Sequence, residues 1–497
     1  MKKTILLIVV IFLFASISAV YAEMKTFIKE YTYQSSEDDS RNSSRIIALR
    51  EVKRLLLEEL GVYLESITEV QNFKLTKDQI TILTAGIVKT EVMDEKWDGR
   101  TFWLRSKVAA DSGGVVKSID LLRKDRAKTK ELEVTKKRSD ELLKENEKLR
   151  KELQLAKDEK RSQKEKIAYD KTVIELSSIE WFENGNSSSN LGKYITAIYE
   201  FTQAIKLNPK YSMAYMGRGL AYDFYGNYNQ AIKDYNKAIE LNPQYAGAYS
   251  NRGLAYVALY SNYNQAIKDY NKAIALDPKL AYICYYNRGD AYFNLGKYNQ
   301  AIKDYNKAIA LNPQFADAYG SRGNVYQKRG NYNQAIKDYD KGITLNPSDA
   351  RTYYNRGNAY RKLGNNSQAI KNYTESIALN PQFVDAYINR GIAYYNLGNY
   401  NQAIDDYNKA IALDPILARA FDNRGSAYYS LGSFNQAMDD YNKAIMLNPN
   451  DAITYNNRAN LYIKLGNNDQ AIKDMKIAAR LGYKAAQDYL IKRGAGW

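Results

Sequence analysis

All eight prolines of this chain lie on one periodic column. Pro209, Pro243, Pro278, Pro313, Pro347, Pro381, Pro415 and Pro449 are separated by 34, 35, 35, 34, 34, 34 and 34 residues. Self-similarity at that period belongs to a supersecondary unit that buries its apolar face only by stacking on its neighbours. Each proline follows Asn or Asp. The residue before proline is kept out of the helical region, so the pair ends a helix. A second column, Gly226, Gly296, Gly330, Gly364, Gly398, Gly432 and Gly466, marks a break inside the unit. Glycine there can take the left-handed conformation that closes a helix C-terminus. Each unit therefore reads as helix, tight turn, helix, stop, as in Ser212 to Tyr245 and Ala316 to Asp349.

Within the first helix of the unit a further glycine recurs: Gly219, Gly253, Gly289, Gly323, Gly357, Gly391 and Gly425. Mid-helix glycine costs roughly 1 kcal/mol against alanine, so its repetition points to close helix–helix contact. Alanines such as Ala231 and Ala238 in the second helix fit the same contact, and tyrosines such as Tyr215, Tyr222, Tyr228 and Tyr235 fill the remaining core. An aromatic followed by Gly, Tyr, Ala, Tyr, Ala and Pro at this spacing closely resembles the tetratricopeptide-repeat (TPR) family. The resemblance covers about residues 178–483 as nine units, with Lys484 to Arg493 as a capping helix. It implies an α-solenoid whose first helices line a groove for another protein. One departure is systematic: where the family usually has leucine, this chain has Arg218, Arg252, Arg288, Arg322, Arg356, Arg390, Arg424 and Arg458. The first unit has Asn184 there and Ser188 for the usual tyrosine, as in a worn terminal unit.

The arginines raise the question of nucleic acid, because the chain carries a net charge of +16 and residues 178–497 alone carry +11. They recur in step, however, with Asp234, Asp269, Asp304, Asp338, Asp406, Asp440 and Asp474 in the second helices. Partly buried arginine wants a carboxylate or carbonyl acceptor, so internal pairing is expected and nucleic acid is not. With no histidine and the single cysteine Cys284, a His/Cys metal site, a Ser-His-Asp triad and a Cys-His dyad are excluded, and no cofactor is expected. The stretch Gly185 to Lys193 fails as a phosphate loop: six residues separate its glycines, Tyr194 follows the lysine, and it lies inside a repeat. Some TPR proteins clamp a C-terminal carboxylate, but the lysine this needs one turn before Asn324, Asn358 and Asn460 is replaced by Gly320, Tyr354 and Asn456.

Met1-Lys2-Lys3, an apolar run from Ile5 and the ending Ala19-Val20-Tyr21-Ala22 read as a signal peptide over residues 1–22. Ile5 to Val20 is too short to span a bilayer, so export to the bacterial periplasm or cell envelope is expected, with no stable membrane span after cleavage. Residues 23–110 read as a small α+β domain. Its elements are a strand at Met24 to Tyr33, a helix at Ser44 to Leu64, a short helix at Thr76 to Ile87, and strands at Val88 to Met93 and Thr101 to Ala109 joined by Asp98-Gly99. Residues 111–177 read as a long charged helix or coiled coil. Leu132, Ser139, Asn146 and Leu153 share one heptad position; Leu142, Leu149 and Ala156 share the other. The segment serves either as a solvated spacer or for self-association through residues 120–165. The expected architecture is thus mainly α: an α+β domain, the charged helix, nine repeats over 178–483, and a capping helix and tail over 484–497.

Family geometry places Met213, Met216, Leu220, Phe224, Leu254, Val257, Ile283, Tyr286 and Phe293 in the groove of the early units. In the middle units it places Asn324, Lys328, Arg351, Tyr354, Asn358, Arg361 and Lys362 there. The first group is apolar and the second basic, which suits an extended protein or peptide segment with a hydrophobic and an acidic part. The reading is a non-enzymatic interaction scaffold. The alternatives are a glycan- or peptidoglycan-binding module, since tyrosine-rich grooves can stack on sugars, or a non-catalytic subunit of an envelope enzyme complex. The two 35-residue spacings bracket the third and fourth units, where the turn Leu259 to Asn262 has lost its glycine, so a weak joint is expected there.

Overall fold

The computed structural model describes residues 24–67, 70, 72–124, 126–156, 159–278, 281–493 and 496, so the leader and its cleavage site lie outside the described residues. The chain divides at Cys284/Tyr285 into two compact bodies.

The first body opens with β1 (Met24–Gln34), α1 (Arg41–Glu65), α2 (Lys77–Ala85), β2 (Glu91–Trp97), β3 (Thr101–Asp111) and α3 (Ser112–Lys124). Along β3, Phe102, Leu104, Val108 and Ala110 are buried on one face, the period-2 pattern of a half-covered strand. That face packs on α1, whose Val52, Leu56, Leu60 and Leu64 are fully buried at helical spacing. Both pairings are antiparallel and the sheet order is β1-β3-β2. Ser40 caps α1, and Thr76 with Gln79 forms a capping box on α2. The hairpin expected at Asp98-Gly99 is present, with Gly99 at φ 93° and Asp98 Oδ1 accepting from the amides of Arg100 and Thr101. That tight turn sets the register, so β2 runs up to Trp97 rather than over Val88 to Met93; Val88 instead joins the core beneath α2.

The charged segment is neither a single spacer nor an open seam. It forms α4 (Arg126–Leu155) and α5 (Glu159–Asn190), which fold back on each other. Lys128 donates to Asn186 at 2.9 Å, Arg138 to Glu175 at 2.7 Å and Asn146 to Thr172 at 2.8 Å, so the helices run antiparallel. Leu142 and Leu153 pack on Tyr169, Val173 and Leu176 of the same chain. The apolar seam that could have met a second copy is filled from within, and Asn146 has its partner there.

The far half of α5 serves as the first helix of unit one, with Tyr194–Leu207 as the second. Gly185 lies under the Phe201 ring, which accounts for one glycine of the rejected phosphate loop. The α+β domain docks on this unit. Arg50 and Lys53 of α1 both reach Glu183, and the Arg50 guanidinium also donates to the Leu176 carbonyl at 2.9 Å. Burial alone would raise the Glu183 pKa; the two cations outweigh it and hold the carboxyl at about 2. Unit one lacks the column arginine, and its buried Glu200, standing where later units have aspartate, is held instead by Lys89 at 2.8 Å and by Ser188. The preceding domain thus supplies the cation that Asn184 does not. Units two and three, Ser212–Phe224 with Tyr228–Leu241 and Ala246–Tyr260 with Tyr263–Leu276, belong to this body, and unit four, Ala281–Asn294 with Tyr298–Leu311, carries the division between the two. The turn without glycine places Ser261 in the left-handed region at φ 49°.

In the second body units five to nine are regular: in order, Ala316–Lys328 with Tyr332–Leu345, Ala350–Lys362 with Asn366–Leu379, Val384–Asn396 with Tyr400–Leu413, Ala418–Ser430 with Phe434–Leu447, and Ala452–Lys464 with Asn468–Arg480. Lys484–Lys492 caps the last pair, burying Ala486 and Leu490 against Met475 and Ala478. Among the described residues no helix is long and apolar enough to cross a membrane.

Candidate partner-binding site

Two repeated contacts fix where the first helices stand. The first explains the mid-helix glycine. In unit six a Cβ on Gly357 would lie 2.7 Å from a ring carbon of Tyr373, and the same holds within 0.2 Å from Gly219 to Gly425. These tyrosines, Tyr235 through Tyr441, are at most 2% exposed. Glycine is required so that the ring of the second helix can lie flat on the backbone of the first.

The second contact is the arginine node. In unit seven Arg390 donates through Nε and Nη2 to the two oxygens of Asp406, at 2.9 and 2.7 Å. Its Nη1 reaches Thr374 of the preceding unit at 3.0 Å, and the guanidinium lies 5.7 Å from the Tyr387 ring centroid. Arg252, Arg322, Arg424 and Arg458 repeat this, with Asn236, Asn306, Asn408 and Asn442 in the place of Thr374. One guanidinium therefore ties three helices, two of them in its own unit and one in the unit before. The expected arginine–aspartate pairing is present, and the bound Asp474 holds Arg458 above its ordinary range against the opposing effect of burial. Unit six is the exception: Arg356 meets Asn372 at 2.6 Å and the half-exposed Asp340 at 2.5 Å.

The expected groove residues divide by environment. In the first body Phe224, Leu254 and Ile283 are 67%, 39% and 44% exposed, Met213, Leu220 and Val257 are half-buried, and Met216 is buried in the core of unit two. In the second body Lys328, Arg351 and Lys362 are exposed and Arg361 half-buried. Phe293 packs on Tyr298. Asn324 and Asn358 are engaged in the wall: Asn324 Oδ1 accepts from Tyr339 at 2.8 Å and Asn355 at 3.0 Å, and Asn358 Oδ1 accepts from Tyr373 at 2.7 Å and Asn389 at 2.9 Å. Tyr286 and Tyr354 pack edge-on or tilted against Phe315 and Phe383. The same column holds Asp422, which accepts from Asn457 at 3.0 Å and whose pKa burial raises to about 6.

Of the expected residues, the structure gathers Tyr286, Asn324 and Arg351 around one cleft of about 750 Å³. Gly342, Asp349, Thr352 and Phe383 also line it and were not singled out from the sequence, while Gly320 and Asn355, also in its wall, bear there only on the absent carboxylate clamp. The signal was present, since Gly320 and Gly342 break the columns that hold Tyr286 and Tyr354, and Ala308 and Ser376.

Stacked helical pairs with aromatic-on-glycine contacts and exposed first-helix side chains define a helical-repeat scaffold. Matches described as "TPR repeat" cover residues 225–259, 261–296, 289–330, 323–364, 357–398 and 425–466, and matches described as "Tetratricopeptide repeat" cover 384–416 and 452–481. The chain belongs to the tetratricopeptide-repeat family, and its repeats make it a scaffold for protein–protein interaction. Among solved structures it is similar to the MamA protein, at 29% identity over 34% of this chain and 93% of that one with a TM-score of 0.33. It is also similar to YrrB, titled a TPR protein with an unusual peptide-binding site, at 25% identity over 37% and 95% of the two chains with a TM-score of 0.34. A repeat protein from Parabacteroides merdae aligns at 20% identity over 50% and 98% with a TM-score of 0.40. Comparison with curated proteins gave no match.

Proposed function

We propose that this protein is an exported scaffold of the bacterial cell envelope that holds an extended segment of a partner protein along the first helices of its repeats. The observation that carries this reading is the division of labour among side chains. The column arginines, the obvious candidates for an anionic polymer, are spent on internal nodes. What the first helices present instead is apolar at Phe224, Leu254 and Ile283 and basic at Lys328, Arg351 and Lys362, together with the cleft of unit five. Such surfaces suit a peptide chain with separate apolar and acidic stretches. The leader over residues 1–22 supports the envelope location.

Photo-crosslinking side chains placed at Leu254 and Lys328 test the assignment against Lys272 and Lys341 of the second helices. One partner captured from the first pair and not from the second is expected; capture from the second pair alone overturns it. Sequencing of envelope-fraction protein should start at Glu23, and a retained Met1 refutes export by cleavage.

A further inference from the structure

The first and second helices of unit five approach each other at two glycines, the half-buried Gly320 and the buried Gly342, that meet no aromatic ring and have the Thr352 side chain as their nearest neighbour. A Cβ on Gly342 would lie 3.8 Å from the Gly320 nitrogen, and on either residue it would meet nothing closer than 3.6 Å. The mid-helix glycines described above are the reverse case, each lying under an aromatic ring at 2.6–2.9 Å. Steric need therefore does not explain Gly320 or Gly342.

The adjoining units show what fits. Unit four has Tyr286 in the place of Gly320, its ring 6.0 Å from Tyr305 and 5.0 Å from Phe315. Unit six has Tyr354, its ring 5.8 Å from Tyr373 and 4.7 Å from Phe383. The Tyr354 hydroxyl accepts from Asn389 Nδ2 at 2.8 Å, and the same nitrogen donates to Asn358 Oδ1 at 2.9 Å. Unit five retains the lower part of this node, with Asn355 Nδ2 donating to Asn324 Oδ1 at 3.0 Å, but Gly320 brings no hydroxyl. In the column of Phe315 and Phe383 it has Asp349, which turns away to cap the next first helix through the Arg351 amide and the Thr352 hydroxyl. The result is the cleft of about 750 Å³, with Tyr286 and Phe383 in its wall.

We propose that this cleft receives a tyrosine side chain of the partner segment, its ring beside the Gly320 backbone in the place that Tyr286 and Tyr354 take in the adjoining units, and its phenol oxygen accepting from Asn355 Nδ2. The inference rests on the proposed function, since it names the side chain that anchors the bound segment. The wall carries the carboxylates of Asp317 and Asp349 beside the Arg351 cation, and the choice of a phenol rests on the Tyr286 and Tyr354 rings that fill the same place in the adjoining units. Tyrosine is also among the residue types enriched where a few side chains carry most of an interface.

The probes are N-acetyl-L-tyrosinamide and its phenylalanine analogue, followed by saturation-transfer NMR on the full chain, together with selection from a phage-displayed peptide library. The tyrosine probe should bind about tenfold more tightly than the phenylalanine probe, the worth of one net hydrogen bond. Gly320→Tyr rebuilds the arrangement of units four and six, so it should keep its helical circular dichroism and lose the tyrosine probe. Asn355→Ala keeps the notch and should bind both probes equally, which serves if Gly320→Tyr does not fold. Peptides selected on the wild type should be rich in tyrosine, and those selected on Gly320→Tyr should not. Peptides that bind both proteins alike, without tyrosine, overturn the notch and leave the scaffold reading standing. Tyrosine probe binding without any selected peptide upholds the notch and overturns the scaffold reading. No difference between the two probes on the wild type overturns the proposed hydrogen bond and with it the tyrosine assignment.

Discussion

Arg390→Leu puts the family's usual residue into the arginine column, and it should nonetheless destabilise unit seven. The substitution removes two charge-assisted bonds to Asp406 and one to Thr374, and leaves Asp406, only 4% exposed, without a cation. Removing one partner of a buried pair costs on the order of 3–5 kcal/mol. Protonation of Asp406 limits the loss. Burial already raises its pKa, and neutralising a carboxyl of ordinary pKa 3.8 at pH 7 costs about 4 kcal/mol. The sign follows: a carboxyl whose folded pKa is raised stabilises the fold least at high pH. The deficit should therefore be roughly 4 kcal/mol at pH 7 and about 1.5 kcal/mol at pH 5. Arg390→Leu with Asp406→Ala removes both charges and should cost about 1 kcal/mol or less, with little pH dependence. A repeat array of this length does not unfold in one step, so the measurement is native-state hydrogen exchange of the amides in Val384–Asn396 and Tyr400–Leu413 at both pH values. Equal deficits in the single and double variants, or a single-variant deficit that does not change with pH, would falsify the coupling. Arg356→Leu is the internal control: its partners are the neutral Asn372 and the half-exposed Asp340, and its cost should stay near 1 kcal/mol.

Gly357→Ala gains about 1 kcal/mol of helix propensity but drives a methyl to 2.7 Å from the Tyr373 ring, so a net loss of roughly 1–2 kcal/mol is expected in urea melts, and a stabilised variant would refute the ring-on-glycine account. Asp422→Asn keeps the bond from Asn457 and removes a carboxyl whose pKa burial raises from 3.8 to about 6; since that carboxyl costs stability progressively as pH rises between those two values, the variant should melt higher than wild type at pH 8 and nearly alike at pH 4. Ser261→Gly relieves a left-handed residue and should add about 0.5–1 kcal/mol to the local exchange stability of residues 258–263. Lys89→Ala strands the buried Glu200 and should increase exchange across Tyr194–Leu207 while leaving the amides of residues 418–480 unchanged.

What could be read from the sequence was what repeats. The turn glycines, the ring-bearing glycines and the arginine–aspartate pairs each recur in seven or eight units, so one physical requirement is written several times and chance is averaged out. The fold-back of α4 on α5 had no such support. Leu142, Asn146 and Leu153 make the same heptad pattern whether the partner is a second copy or Tyr169, Thr172 and Val173 of the same chain, and neither proline nor glycine marks the reversal after Leu155. The chemistry particular to this protein sits where a column fails. Asn184 leaves Glu200 without its arginine, and Lys89 from an unrelated domain takes that role. Asn372 replaces an aspartate, and Asp340 of the preceding unit, in the column of Thr374 and Asn306, supplies Arg356 with its carboxylate. Gly320 replaces a tyrosine, and a cleft opens there. In an array whose other units satisfy themselves internally, such a break leaves a buried group or a surface in need of a partner, and the partner must come from outside the repeat. In the first two cases it is visible within the chain, and the cleft at Gly320 is where the same logic points to a second protein.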